Sequence, residues 1–211
     1  MRYEEIAALD LSTLPCLSRG IDSHVYRAGE YVLKEYQRLS PGELDRYVAL
    51  QNGTSRVLRE SPYQAVIDLG GVSTTLVAKQ GVPVEWVGLS RNQKPMAVSA
   101  FVEATNLEKL LWRPEMFKTY ADSELGSPQL REFAQRLNDF FWNEYPTRAQ
   151  DELHYHVCMI SRMLDRALNS RGLYISKYNV KLQPTPDAAR VELIVTDIAL
   201  YIERVEYDVK H

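Results

Sequence analysis

The sequence has only two cysteines, Cys16 and Cys158, too few for a disulfide framework or a cysteine-built zinc cage. Long apolar runs are missing as well: none approaches the ~18 residues that a membrane-spanning helix needs. The opening residues, MRYEEIAALD, place acids where a secretory leader needs an apolar stretch. Nor is there an excess of positive charge. Lys and Arg number 25 against 28 Asp and Glu, for a net charge of −3, which leaves no general footprint for nucleic acid or an anionic membrane. Repeats and low-complexity tracts are absent. These absences lead us to expect a cytoplasmic protein that binds neither nucleic acid nor membrane. What is present is the composition of a globular protein, 45% apolar and 25% charged, in a chain of 211 residues. That length suits one domain or two small lobes, so any function has to be read from motifs.

The first third reads as short strands with tight turns. Leu17–Gly20 leads to His24–Arg27, the turn Ala28-Gly29-Glu30 follows, and Tyr31–Tyr36 completes a hairpin signal. At Ser40-Pro41-Gly42-Glu43 the pattern changes. Serine at the N-cap, proline at the first helical position and glutamate at the third form a capping box. Leu44, Tyr47, Val48 and Leu50 continue at helical spacing, and Asn52-Gly53 predicts the stop. Residues 54–102 return to strand: Tyr63–Leu69, Thr74–Lys79, Val82–Leu89 and Pro95–Val102, with Ser90–Lys94 as a polar turn. Thr105-Asn106-Leu107 is expected to open a helical half reaching residue 171, with a hinge around Glu103–Leu107.

In that half, Ser127-Pro128 caps a helix with Leu130, Phe133, Leu137 and Phe140 on one stripe. Pro146-Thr147 with Gln150 caps another, whose stripe is Leu153, Val157, Ile160, Leu164, Ala167 and Leu168, and Gly172 supplies its stop. The tail is strand again at Leu173–Ile175, Asn179–Leu182 and Val191–Asp197, and Tyr201–Tyr207 predicts one further short element.

Hairpin, lysine-bearing strand, capped helix with an early glutamate, further strands, hinge, helices and a late Asn…Asp pair form a specific order. In that order the chain resembles the protein-kinase-like superfamily, from about Leu17 to Asp197. The resemblance implies an α+β, two-lobed kinase-like fold, with a β-rich N-lobe over residues 1–103 carrying one helix. A small, mainly helical C-lobe with a terminal β element would then occupy 104–211. It implies ATP and magnesium as ligands.

The family's hairpin lies over the nucleotide phosphates, which here assigns Gly20 and Ser23 to them. Tyr31-Val-Leu-Lys-Glu is similar to the family's Val-Ala-Ile-Lys strand, so Lys34 would meet the phosphates and Glu43, or failing it Asp45, would pair with Lys34. Glu43 is also fully explained as a capping-box residue. Glu103, at the hinge, joins the nucleotide contacts. Asn179, followed by Val-Lys-Leu, and Asp197, at the end of Leu193-Ile-Val-Thr, take the metal-ligand positions, where hard oxygen donors suit Mg²⁺.

The sequence departs from the family where the base should be. The H-R-D-x-x-x-x-N spacing puts Tyr174 in place of the catalytic aspartate and Gly172 in place of the histidine, and no acid lies between Asp165 and Asp187. Past Asp197 the chain runs only to His211, short of a substrate-binding platform. The reading is therefore a nucleotide-binding or pseudokinase module that scaffolds or regulates a protein partner. The second reading is an atypical phosphotransferase or nucleotidyl transferase using ATP and Mg²⁺ on another acceptor. Cys158 with His154 and His156 as a Cys–His hydrolase, and His154, His156 and His24 as a metal site, are weaker readings without further partners at ligand spacing.

Overall fold

The computed structural model describes residues 3–20, 23–68, 73–143, 148–187 and 189–200. They form an α+β protein that divides into two compact units, Met1–Arg56 with Gly81–Glu103, and Val57–Gln80 with Ala104–His211. The expected element at Tyr201–Tyr207 and the cap at Pro146-Thr147 lie outside the described residues.

The first unit is built on an antiparallel sheet of β1 (Cys16–Arg19), β2 (Ser23–Ala28), β3 (Tyr31–Tyr36), β6 (Val84–Leu89) and β7 (Pro95–Ala100), in the order β1-β2-β3-β7-β6. Gly29 turns the β2–β3 hairpin with φ +62°, a conformation that glycine adopts without steric cost. Side chains alternate along each strand, so the sheet has two distinct faces. On one, Tyr26, Leu33, Met96 and Val98 pack with Ile6 and Leu11 of the N-terminal segment. That segment comprises α1 (Tyr3–Ala7) and a 3-10 turn at Leu11–Thr13. Sequence periodicity missed both, because elements this short carry no repeat to detect. Tyr3 ties the segment down by donating its hydroxyl to Glu85 at 2.7 Å, a bond that raises the Tyr3 pKa to about 12.

The other face, with Tyr36, Val84 and Ala97, packs under Leu44, Tyr47 and Val48 of α2 (Pro41–Glu60). The capping box forms as expected, with Glu43 accepting the Ser40 amide at 2.8 Å. The expected stop at Asn52-Gly53 does not occur, and α2 runs through to Glu60. The reason is tertiary. The Asn52 side chain accepts the Val84 amide at 2.7 Å and donates to the Val84 carbonyl at 3.2 Å, while Gln51 donates to Val82 and Ser55 to Gly81. The helix side chains thus pair with the strand backbone, which overrides the local tendency of Asn-Gly to end a helix. Gly81 permits the approach: a Cβ there would lie 3.0 Å from the Ser55 Cα.

The second unit carries β4 (Tyr63–Asp68), β5 (Ser73–Gly81), β8 (Thr105–Asn106), β10 (Val180–Pro184) and β11 (Arg190–Val195), ordered β4-β5-β11-β10-β8. Its helices are α3 (Pro114–Glu124), α4 (Pro128–Asn143) and α5 (Arg148–Leu168). A two-stranded ladder joins β9 (Leu173–Tyr174) to β12 (Ala199–Leu200). The Ser127 hydroxyl caps α4 by accepting the Leu130 amide at 3.1 Å. The stripes read from sequence are buried at Leu130, Phe133 and Leu137 and at Leu153, Val157, Ile160 and Leu164.

Two local expectations are corrected. Thr105-Asn106 is an edge strand paired to Leu182 and Lys181, not a helix start, and the Asn106 side chain accepts the Glu108 amide to turn the chain away. The left-handed residue following α5 is Asn169 (φ +47°), with Gly172 (φ +126°) further along, and Ala167 is exposed beyond the buried stripe. No helix among the described residues is long and apolar enough to cross a membrane.

Candidate functional site

In the first unit, the tip between β1 and β2 is closed by the Gly20 amide donating to the Ser23 carbonyl at 2.9 Å. A Cβ on Gly20 would meet only an ordinary 3.4 Å contact with that carbonyl, so the fold itself does not demand glycine there. Lys34 lies at the centre of β3, opposite Val25 on one side and Ala97 on the other. Its Nζ is 5.1 Å from the ring centroid of Tyr36 and 5.1 Å from that of Tyr47, within range of a cation–π attraction. Those two rings pack edge to face at 5.5 Å. The α2 residue that meets Lys34 through its ring is therefore Tyr47, one helical turn beyond Glu43. The Glu43 carboxylate accepts the amide and hydroxyl of Ser40, and that amide, with the hydroxyl second, lowers its pKa.

Sequence reading passed over Glu35, the neighbour of Lys34. It is 3% exposed and accepts the Ser90 hydroxyl at 2.6 Å and the Gln37 side-chain amide at 3.2 Å. Its carboxylate thereby fastens the turn between β6 and β7 to the lysine-bearing strand. Glu103 is exposed at the end of the first unit.

In the second unit, Asn179 and Asp197 lie at the same end of one hairpin. The β10–β11 ladder begins at Val180 opposite Val195, so the residues just outside it share one end of the hairpin. The Asn179 carbonyl accepts both the Thr196 amide (2.9 Å) and the Thr196 hydroxyl (3.1 Å). Asp197 follows directly, half-buried, with its Oδ1 accepting the Ile198 amide at 2.9 Å. Two residues on, Ala199 pairs with Tyr174. The connection from Tyr174 to Asn179 is thus tied to 196–199 at both of its ends.

Helix α5 holds the same connection from the other side. Asp165 Oδ1 accepts the Ser170 hydroxyl at 2.6 Å and the amides of Gly172 and Leu173 at 2.9 Å each. The Ser170 hydroxyl above all, then the two amides, draws the Asp165 pKa below the usual carboxylate range. The Ser161 hydroxyl accepts the Ile175 amide at 3.1 Å. Arg171 is left with φ +56°, a rare backbone conformation for a side-chain-bearing residue. Sequence pattern gave no hint of these anchors, because both act on backbone amides that have no signature. Between Asp165 and Asp187 the sequence holds no other Asp or Glu.

The histidine readings separate. His156 is 8% exposed and its Nδ1 lies 2.6 Å from the Tyr63 hydroxyl, while burial lowers its pKa. His24 contacts Tyr26 within the first unit. His154 and Cys158 do approach each other, with Nε2 and Sγ 3.7 Å apart. No cluster of three or more His, Cys, Asp or Glu suited to a metal ion occurs among the described residues.

No protein-family model matches the chain, and no curated protein does either. Among solved structures, one described as a co-crystal structure of WbdD and the kinase inhibitor LY294002 is similar at 15% identity and a TM-score of 0.32. The similarity covers 88% of this chain, which spans 33% of that one. The protein is α+β, in two compact units, with a lysine-bearing strand in one and an Asn–Asp hairpin end in the other.

Proposed function

We propose that the protein is a kinase-like nucleotide-binding module that acts by scaffolding or regulating a protein partner. The observation that carries this reading is the Asn179–Asp197 hairpin end, bonded through Thr196 and closed again by the Tyr174–Ala199 pair. An amide oxygen and a carboxylate at one strand end are the hard donors that a nucleotide-bound Mg²⁺ takes. Such an ion, when bound, neutralises phosphate charge. Lys34, central on β3 and steadied by two tyrosine rings, supports a role as phosphate contact, and Gly20 and Ser23 at the hairpin tip would lie over the same phosphates. The commitment of Asp165 to three hydrogen bonds supports a module without a catalytic base.

Thermal denaturation tests the reading. ATP with Mg²⁺ at 100 times its dissociation constant should stabilise the wild type by about 2.7 kcal/mol, or roughly 5–10 °C in a chain of this size. Lys34→Ala should lose most of that shift, read against its own melting temperature without ligand. If the wild type melts identically with and without ATP, the nucleotide reading fails. Transfer of the γ-phosphoryl group from labelled ATP would instead select the phosphotransferase reading.

A further inference from the structure

We propose that Tyr47 is the positioning residue for Lys34, acting through its ring where the resemblance to kinases implied a carboxylate of α2. What Lys34 contacts rests on the nucleotide reading; how it is held does not.

Sheet and helix each supply one ring. Lys34 and Tyr36 are two apart on β3, so their side chains leave the same face of the sheet. That is the face under α2, where Tyr36 packs with Leu44, Tyr47 and Val48. Leu44 and Tyr47 lie three apart on the helix, which turns both toward the strand. Tyr36 is 3% exposed, so the core fixes one wall of the clamp. The Tyr47 ring meets it edge to face at 5.5 Å, and the Lys34 Nζ lies 5.1 Å from each ring centroid. The ammonium is thus equally close to two rings that pack on each other.

Glu43 is committed elsewhere on the helix. Its Oε2 accepts the Ser40 amide at 2.8 Å and the Ser40 hydroxyl at 2.7 Å, which are the bonds of the cap. Tyr47, one turn later, lies within cation–π range of the lysine. A tyrosine ring attracts an ammonium through its quadrupole and, unlike a carboxylate, carries no charge to neutralise it. Such a clamp places the lysine without cancelling the charge that an anion would meet. Ordering a loose lysine on binding weakens a contact by roughly threefold to tenfold, and a clamp that orders it beforehand removes that cost.

The test uses the full chain with ¹³C at the lysine ε position, so that ring currents report on Lys34 without any nucleotide. Lys34→Arg identifies its signal. The Lys34 ε-CH₂ protons are expected upfield of those of the exposed Lys79 and Lys118. Tyr47→Leu should move them downfield and weaken binding of ATP with Mg²⁺ about fivefold. Tyr47→Phe keeps the ring and should preserve both the shift and the affinity. In a Lys34→Ala background, Tyr47→Leu should leave ATP affinity unchanged, because the clamp then has nothing to place. Each variant is read with an unchanged circular dichroism spectrum. The proposal is overturned if Tyr47→Leu leaves the Lys34 signal in place, or if it weakens binding equally with and without Lys34. If the wild type binds no ATP, the nucleotide reading fails, and the ring-current shift alone decides whether Tyr47 places Lys34.

Discussion

Leu33→Ala should destabilise the first unit by about 3 kcal/mol, within the roughly 2–5 kcal/mol seen when a buried leucine is cut to its Cβ. Leu33 is fully buried on β3, in a cluster with Ile6, Tyr26, Met96 and Val98. Truncation removes apolar area and leaves a cavity that paired strands are poorly able to close. A protein held together by about 5–15 kcal/mol cannot absorb many such losses. Urea unfolding should show a lower midpoint at unchanged slope, whereas the volume-conserving Leu33→Met should cost under about 1.5 kcal/mol. A loss below about 1 kcal/mol for the alanine variant would mean that the N-terminal segment does not cover this face in solution. The next residue is Lys34, the proposed phosphate contact, on the opposite face of the same strand.

Asp165→Ala should cost about 2–3 kcal/mol. It leaves the Gly172 and Leu173 amides without their acceptor, and the figure is held down because the carboxylate is partly solvated. Asp165→Asn keeps an acceptor oxygen and should lose less. The two variants also differ from wild type in how their stability depends on pH. The folded pKa of Asp165 lies below its unfolded value, so its contribution is complete above the unfolded pKa of about 3.9 and disappears as pH falls through the lowered folded value. Wild type and Asp165→Asn should therefore converge in stability toward pH 2 and diverge by pH 6, as urea midpoints across that range would show. Parallel curves would remove the charge of Asp165 from the account.

The sequence was informative wherever a local rule acted alone. The Ser40–Glu43 capping box, the Gly29 turn and the apolar stripes of α4 and α5 all follow from spacing within one turn or one hairpin. It was silent or misleading where distant backbone decided the outcome. Asn52-Gly53 reads as a helix end only while the Asn52 amide has no better partner, and Val84, far along the chain, supplies one. Residues 57–80 looked like part of one continuous strand-rich stretch. Their hairpin instead joins β11, with the Thr75 amide donating to the Ala189 carbonyl.

The candidate site divides in the same way. Asn179 and Asp197 are legible through the kinase-like order, Asp197 also as the residue that ends an apolar strand, and the β10–β11 register puts both at one end of the hairpin, with Asn179 opposite Thr196. Glu43 fitted two roles from sequence, and its bonds to Ser40 are those of the cap. Glu35, Ser161 and Asp165 could not be picked out, since their partners are set by tertiary proximity rather than by spacing.

The central claim is that the Asn179–Asp197 end holds the metal of a bound nucleotide. Its most direct test is equilibrium binding of ATP to the full chain, with Mg²⁺ and with EDTA, for wild type and Asp197→Ala. The account predicts that Mg²⁺ tightens wild-type binding at least about tenfold, equivalent to 1.4 kcal/mol, and that the two Asp197→Ala curves coincide. An Mg²⁺ effect of the same size in Asp197→Ala, or wild type that binds no ATP under either condition, would contradict it.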